Sequence, residues 1–277
     1  MTVALGRVGA SVGLADLTDD FAVDLENSGW DALWVGPSVA PDLIEVERVL
    51  AATESIPVVT AITTIWFATP AEIAAAYHRV VDRFGDRFVL GLGTAHAGIN
   101  APLQAKPLQA MKETLDGLDA AGMPVDGRLL AALGPKMTEL AGQHSLGAHP
   151  YLAPASTIAE ARQLLGSNAL LAQSLLAVVT DHDDDMLAVG RQAIALYLTL
   201  DNYRRNFLRA GFAATDLDNG GAERLVRALV SSTATLREAV DRQLQAGADH
   251  VTVGVRLTPG QDLHSAYRHA AAALRLS

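Results

Sequence analysis

The sequence has no cysteine, which excludes disulfides, thiolate nucleophiles and cysteine-ligated metals. It also lacks any unbroken apolar stretch approaching the ~20 residues of a membrane-spanning helix, because polar residues, glycine or proline interrupt every run. The N-terminus shows no basic-then-apolar signal segment, so a soluble cytoplasmic protein is expected. Positive charge is short: 21 Lys and Arg stand against 31 Asp and Glu, a formal net charge of −10. Nucleic acid would need a basic face and is excluded as a partner, whereas a small anion held by local donors is not. Missing too are a His-x-x-x-His or other metal-ligand spacing, a Gly-x-Ser-x-Gly nucleophile elbow and a conspicuous carboxylate pair.

What the chain does contain is alternation. Val58 to Ile65 is an apolar run, Pro70 to Phe84 is helical, and Phe88 to Leu92 is a second run ending in the loop Gly91 to Gly98. Thr69 and Glu72 have capping-box spacing, Pro70 suits the first helical turn, and Ile73, Ala76, Tyr77, Val80 and Phe84 share one face. A strand–helix–strand unit with short turns is a parallel crossover. The same alternation gives strands at Arg7–Val12, Ala32–Gly36, Leu129–Leu133, Gly147–Leu152, Ser174–Thr180 and His250–Val255. Helices fall between them, one opening near Ser156 and Thr157 with Thr157 and Glu160 as a further capping box. Met186–Leu200, Asp201–Ala210, Ala222–Val230 and Leu236–Ala246 also read as helical, so extra helices separate strands seven and eight. Eight strands in 277 residues predict one domain over 1–277, an α/β (β/α)8 TIM barrel; a doubly wound open sheet is the alternative.

Barrel sites lie beyond the C-terminal ends of the strands. His96 emerges there in a Gly-flanked loop, and Trp66 follows strand three as a pocket wall. His149 and Tyr151 share a face of strand six, where core packing and ligand contact are equally open, while Trp34 reads as core and His78 as outer surface. The run Asp181-His182-Asp183-Asp184-Asp185 reads as an acidic first helical turn favoured by the helix dipole rather than a metal site. Gly91-x-Gly93 with Gly98 has the wrong spacing for a dinucleotide fingerprint.

Several of these segments resemble, in order, the bacterial-luciferase-like family. Ser28-Gly29-Trp30-Asp31-Ala32-Leu33-Trp34-Val35-Gly36 is similar to its second strand and Arg87-Phe88-Val89-Leu90-Gly91-Leu92-Gly93 to its fourth. Ala132-Leu133-Gly134-Pro135-Lys136-Met137, Gly147-Ala148-His149-Pro150-Tyr151 and Ala246-Gly247-Ala248-Asp249-His250-Val251 resemble the fifth, sixth and last. The nearest branch is the coenzyme F420-dependent oxidoreductases. The resemblance implies a deazaflavin, or FMN as the alternative, lying across the barrel mouth and exchanging a hydride with a small organic substrate, in a homodimer. An FMN-dependent monooxygenase and a barrel that only binds a ligand or partner are the alternatives. The chain departs from the pattern at Val59-Thr60-Ala61, where relatives carry Gly-Thr-Gly, and at Ala95, where they have a glycine. It departs again at Pro37-Ser38, where they carry an acid and a histidine.

On that resemblance the ring rests on Thr60, Ala61, Ile62 and Thr63, with a bulge or cis bond between Thr60 and Thr63, and meets Gly93 and Thr94. His96 and Ser38 are the candidate catalytic residues, and Ser11, Trp66 and His149 the candidate substrate contacts. For the phosphate, Asp181, Asp183, Asp184 and Asp185 would repel an anion beyond strand seven. The opening of helix six, with Ser156, Thr157 and nearby Lys136 beside Tyr151, offers hydroxyls, free N–H groups and a cation instead.

Overall fold

The computed structural model describes residues 3–96 and 106–276; Ala97 and Gly98, the end of the fourth-strand loop, lie outside them. The strands are β1 (Val8–Gly13), β2 (Ala32–Gly36), β3 (Val58–Thr60), β4 (Thr63–Thr64), β5 (Phe88–Gly93), β6 (Arg128–Ala131), β7 (Gly147–His149), β8 (Leu170–Val178), β9 (Val230–Ser232) and β10 (His250–Arg256). All strand pairings among the described residues are parallel. β1 pairs with both β2 and β10, and β10 with β8, so the sheet closes and the open-sheet alternative falls. β3 and β4 together make the third of eight barrel strands, each pairing with β5 on either side of a break.

Alternation along the strands divides two cores. Val251, Val253 and Val255 of β10, like Leu33 and Val35 of β2, face the outer helices and join the main core. Their neighbours turn inward, where Ala32, Trp34, Val59, Val89, Leu129 and Ala172 fill the lumen with Leu5. The outer helices are α1 (Asp19–Asn27), α2 (Ile44–Ala52), α3 (Pro70–Phe84), α4 (Pro107–Ala120), α5 (Pro135–His144), α6 (Ala155–Leu165), α10 (Leu236–Gln245) and α11 (Leu263–Leu274). α3 starts as its sequence dictates: Thr69 accepts from the Glu72 N–H, and the Glu72 carboxylate accepts from the Thr69 N–H at 2.8 Å. Loss of such a cap costs about 1 kcal/mol.

Between β8 and β10 lies an insertion holding α7 (Asp183–Ile194), α8 (Asp201–Arg209) and α9 (Glu223–Leu229). Its apolar faces form a second core with Leu152, Leu176 and Val178, so it sits over the barrel mouth on the side of strands six and seven. Among the boundaries that differ from the sequence reading, four bear on the mouth of the barrel. The expected helix Met186–Leu200 ends at Ile194 and resumes as a turn at Tyr197–Thr199. Val230 leaves its helix to open β9, which pairs with the upper half of β8 where β7 has ended. β8 begins at Leu170 instead of Ser174. α6 begins at Ala155 with Pro154 as its N-cap, and Glu160 pairs with Arg209 at 2.9 Å instead of capping.

Candidate active site

The lumen is plugged from below by three stacked rings. Trp34 is fully buried, donates its indole N–H to Nε2 of His250 at 2.9 Å, and lies 4.5 Å, centroid to centroid, from His149. Because His250 Nε2 accepts, its Nδ1 carries the proton and donates to the Gly6 carbonyl at 3.1 Å. His149 Nδ1 meets the Ala172 carbonyl at 2.8 Å, which assigns it the same tautomer. Burial pushes both imidazoles down to about 4, so both are neutral at physiological pH. His149, a candidate substrate contact, is thus 95 % withdrawn from solvent and serves first as one end of this plug, with Trp34 between it and His250.

Above the plug the inward positions become small. Ser11, Gly36, Ala61, Gly93, Ala131 and Gly254 end the strands around the mouth, and Ser11, Ala61 and Ala131 are half-buried. These small side chains floor a basin at the barrel mouth. Its organising feature is the break in the third strand, where the Ala61–Ile62 peptide is cis, as the sequence reading places it. The break pushes two carbonyls into neighbouring strands. A Cβ on Gly36 would lie 2.1 Å from the Ala61 oxygen, and one on Gly91 would lie 1.8 Å from the Thr60 oxygen, so glycine is required at both. Thr60 is corrected as a cofactor contact: it is fully buried, donating its hydroxyl to the Gly91 carbonyl at 2.9 Å and accepting from the Gly91 N–H at 2.8 Å. Thr63 is corrected likewise, being fully buried just after the break, with no hydrogen-bond partner for its hydroxyl among the described residues, a state it shares with Thr64. Ala61 and Ile62 remain at the basin surface.

The rim is tied together by backbone and aromatics. Trp66 donates to the Thr94 carbonyl at 2.7 Å, joining the loops that follow the third and fourth barrel strands. Val39 donates to the Ile62 carbonyl at 3.0 Å, which carries the loop after β2 past the break and leaves Ser38 exposed at positive φ on the rim. His96 is half-buried, with its ring edge-on to Tyr203 at 5.8 Å and to Tyr197 at 6.5 Å, and burial lowers its pKa. Tyr197 also packs at 5.3 Å on Tyr151, and burial raises the pKa of Tyr197 and Tyr203 so that both keep their protons. The aromatic wall therefore draws Tyr151 and His96 from barrel loops and Tyr197 and Tyr203 from the insertion. Sequence reasoning missed the last two because helical spacing on an insertion carries no sign that one edge overhangs the mouth. Arg256, at the end of β10, was not singled out from the sequence.

The expected phosphate site is partly dismantled. Thr157 is corrected: it is 4 % exposed and its hydroxyl points to Asn206 Oδ1 at 3.4 Å. α8 lies across this helix opening, with Ser156 directed to the Ala210 carbonyl at 3.4 Å and Arg209 reaching Asn206 Oδ1 at 2.7 Å. Ser156 and Lys136 stay exposed. On the strand-seven side, Asp181, Asp185 and Asp262 line an outer cleft of about 830 Å3 with Thr180, Thr233 and Gln261. Asp183 pairs with Arg227 at 2.8 Å. Among the described residues no group of three or more His, Asp or Glu could hold a metal ion.

Residues 3–128 match the family model described as luciferase-like monooxygenase. No curated protein matches the chain. An F420-dependent secondary alcohol dehydrogenase, solved with an F420-acetone adduct, shares the fold at a TM-score of 0.72 and 15% identity, covering 98% of this chain and 100% of its own. The coenzyme F420 dependent tetrahydromethanopterin reductase from Methanopyrus kandleri gives 0.69 at 14%, with coverages of 99% and 100%. The oxygenating constituent of 3,6-diketocamphane monooxygenase from Pseudomonas putida, in complex with FMN, gives 0.63 at 15%, with 99% and 97%. Residues 3–128 thus resemble the luciferase-like monooxygenases in sequence, and the barrel as a whole shares its fold with these solved structures.

Proposed function

We propose that the chain is an oxidoreductase that holds coenzyme F420 at the barrel mouth and passes a hydride between it and a small organic substrate. The observation that carries this reading is the basin: a floor of small residues above a neutral, hydrogen-bonded plug, walled on one side by His96, Tyr151 and Tyr197. A planar ring fits such a floor, since no large side chain rises from Ala61, Gly93 or Ala131. Ala61, Ile62, Gly93 and Thr94 would hold its face, and Tyr151 its edge. Lys136 and Ser156, exposed on the strand-five and strand-six side, would meet its anionic tail. The bound deazaflavin supplies hydride chemistry without a covalent enzyme intermediate, so the protein's work is positioning and exclusion of water. His96 suits that work as a neutral imidazole that accepts or donates one hydrogen bond at the rim.

FMN is the second reading, because one fold relative is solved with it and the same floor would take its ring. Separate titrations with F420 and FMN, following each chromophore, decide between them. Micromolar F420 binding with weaker FMN binding is the expected outcome. The reverse order moves the assignment to a luciferase-like monooxygenase, and binding of neither leaves a ligand- or partner-binding barrel. The homodimer belongs to the same reading and is checked by light scattering.

A further inference from the structure

We infer that Arg256 is the anion-binding residue of the substrate end of the basin, and that the substrate carries a carboxylate or phosphate held by this guanidinium. The inference rests on the proposed oxidoreductase for the word substrate, but the binding site itself is read from the barrel. Strand alternation puts Arg256 on the lumen side of β10: His250 and Thr252, at the same parity, bond to Trp34 and Ser174 inside the barrel, while Val251, Val253 and Val255 join the outer core. Instead of extending outward, the side chain folds back along its strand, with Nη1 3.6 Å from where a Cβ on Gly254 would stand. The same vacant Cβ position is 3.8 Å from the Ser11 carbonyl, which places the guanidinium above the seam of β10 and β1.

The charge there is incompletely used. Nη1 donates to the Val255 carbonyl at 2.9 Å, and no carboxylate pairs with Arg256 among the described residues. Arg48, Arg128, Arg162 and Arg209 each have an Asp or Glu partner. Among the described residues Arg87 has none but is enclosed by the carbonyls of Leu50, Thr53 and Ile56, whereas Arg256 donates to the Val255 carbonyl alone. Arg256 is half-buried, so its partial desolvation goes uncompensated by protein charge and would be compensated by an anion. The guanidinium fork matches carboxylate and phosphate in two parallel bonds. In strand order Arg256 and Ser11 lie on the opposite side of β2 from the break at Ala61–Ile62, so an anchored substrate would reach across Gly36 toward a ring resting on the break.

The test uses the full-length protein without added cofactor, with benzoate and inorganic phosphate as anionic probes and benzyl alcohol as the neutral control. Binding is read by calorimetry on wild type, Arg256→Gln and Arg256→Lys. Wild type is expected to bind at least one anion, Arg256→Gln to weaken it about tenfold or more, and Arg256→Lys to recover part of the loss; benzyl alcohol should bind the three alike. Which anion responds assigns carboxylate or phosphate. Anion binding unchanged in Arg256→Gln, or no binding of either anion by wild type, overturns the inference. F420 and FMN titrations on the same proteins keep the two conclusions apart. Cofactor binding with Arg256-independent anion binding refutes the anion site alone, and Arg256-dependent anion binding without cofactor binding refutes the oxidoreductase alone.

Discussion

His96 is where one residue's environment and role are most closely coupled. Two tyrosine edges hold its ring, and burial lowers its pKa, so it is neutral above its ordinary value of 6.5. Replacing it with alanine should weaken F420 binding or slow turnover by about tenfold, the worth of one well-placed hydrogen bond in a partly desolvated site. His96→Gln should restore part of the loss. Wild-type activity should show no His96 titration between pH 7 and 8, because burial moves its charge change below that window. Unaltered binding and turnover in His96→Ala would remove it from the site. The sequence placed this residue at the mouth through its strand-end position alone. Its partners were illegible, since Tyr197 and Tyr203 lie about a hundred residues away on an insertion.

Among the elements, the third barrel strand shows how far sequence reached and where it stopped. The run Val58 to Ile65 reads as a single strand, and its composition gives no sign of a break; the break came from resemblance, and its support became visible only in the fold. Gly36 and Gly91, on the strands either side, make room for the Ala61 and Thr60 carbonyls. Neither glycine stands at a turn, so each looks in sequence like an ordinary weak point in a strand. Gly91→Ala should therefore destabilise the protein by about 3 kcal/mol or more, since its Cβ meets backbone that cannot rotate away. Gly134→Ala, with nothing near its Cβ, should cost far less. Chemical denaturation of both variants checks this, and equal losses would show that the break yields easily. α6 teaches the converse: Thr157 and Glu160 have the spacing of a cap, but Asn206 and Arg209 of α8 claim them, a tertiary use that local spacing cannot reveal.

For the molecule as a whole, eight strands and their order followed from periodicity and length, because every outward-facing strand residue must pack on a helix. The ring plug did not follow, since Trp34, His149 and His250 come from three distant strands. Its consequence is a pH dependence of the entire fold. His149 and His250 have pKa values pushed to about 4 by burial, against 6.5 for an exposed imidazole. Between those values the unfolded chain binds more protons than the folded one, so stability falls as pH drops from about 6.5 toward about 4. Each histidine contributes a slope approaching about 1.4 kcal/mol per pH unit within that window. Carboxylates act lower. Burial alone would raise Glu26, but the N–H groups of Glu54, Ser55 and Ile56 outweigh it and hold its pKa below 4.5, so its contribution is lost only at more acid pH. Urea denaturation at pH 7.5, 6.0 and 5.0 should show a falling midpoint. His250→Gln can still accept from Trp34 without titrating; it should be less stable at pH 7.5 yet lose less on acidification, by about half the wild-type slope if the two histidines contribute equally. A wild-type slope that persists undiminished in both His250→Gln and His149→Gln would place the acid sensitivity elsewhere.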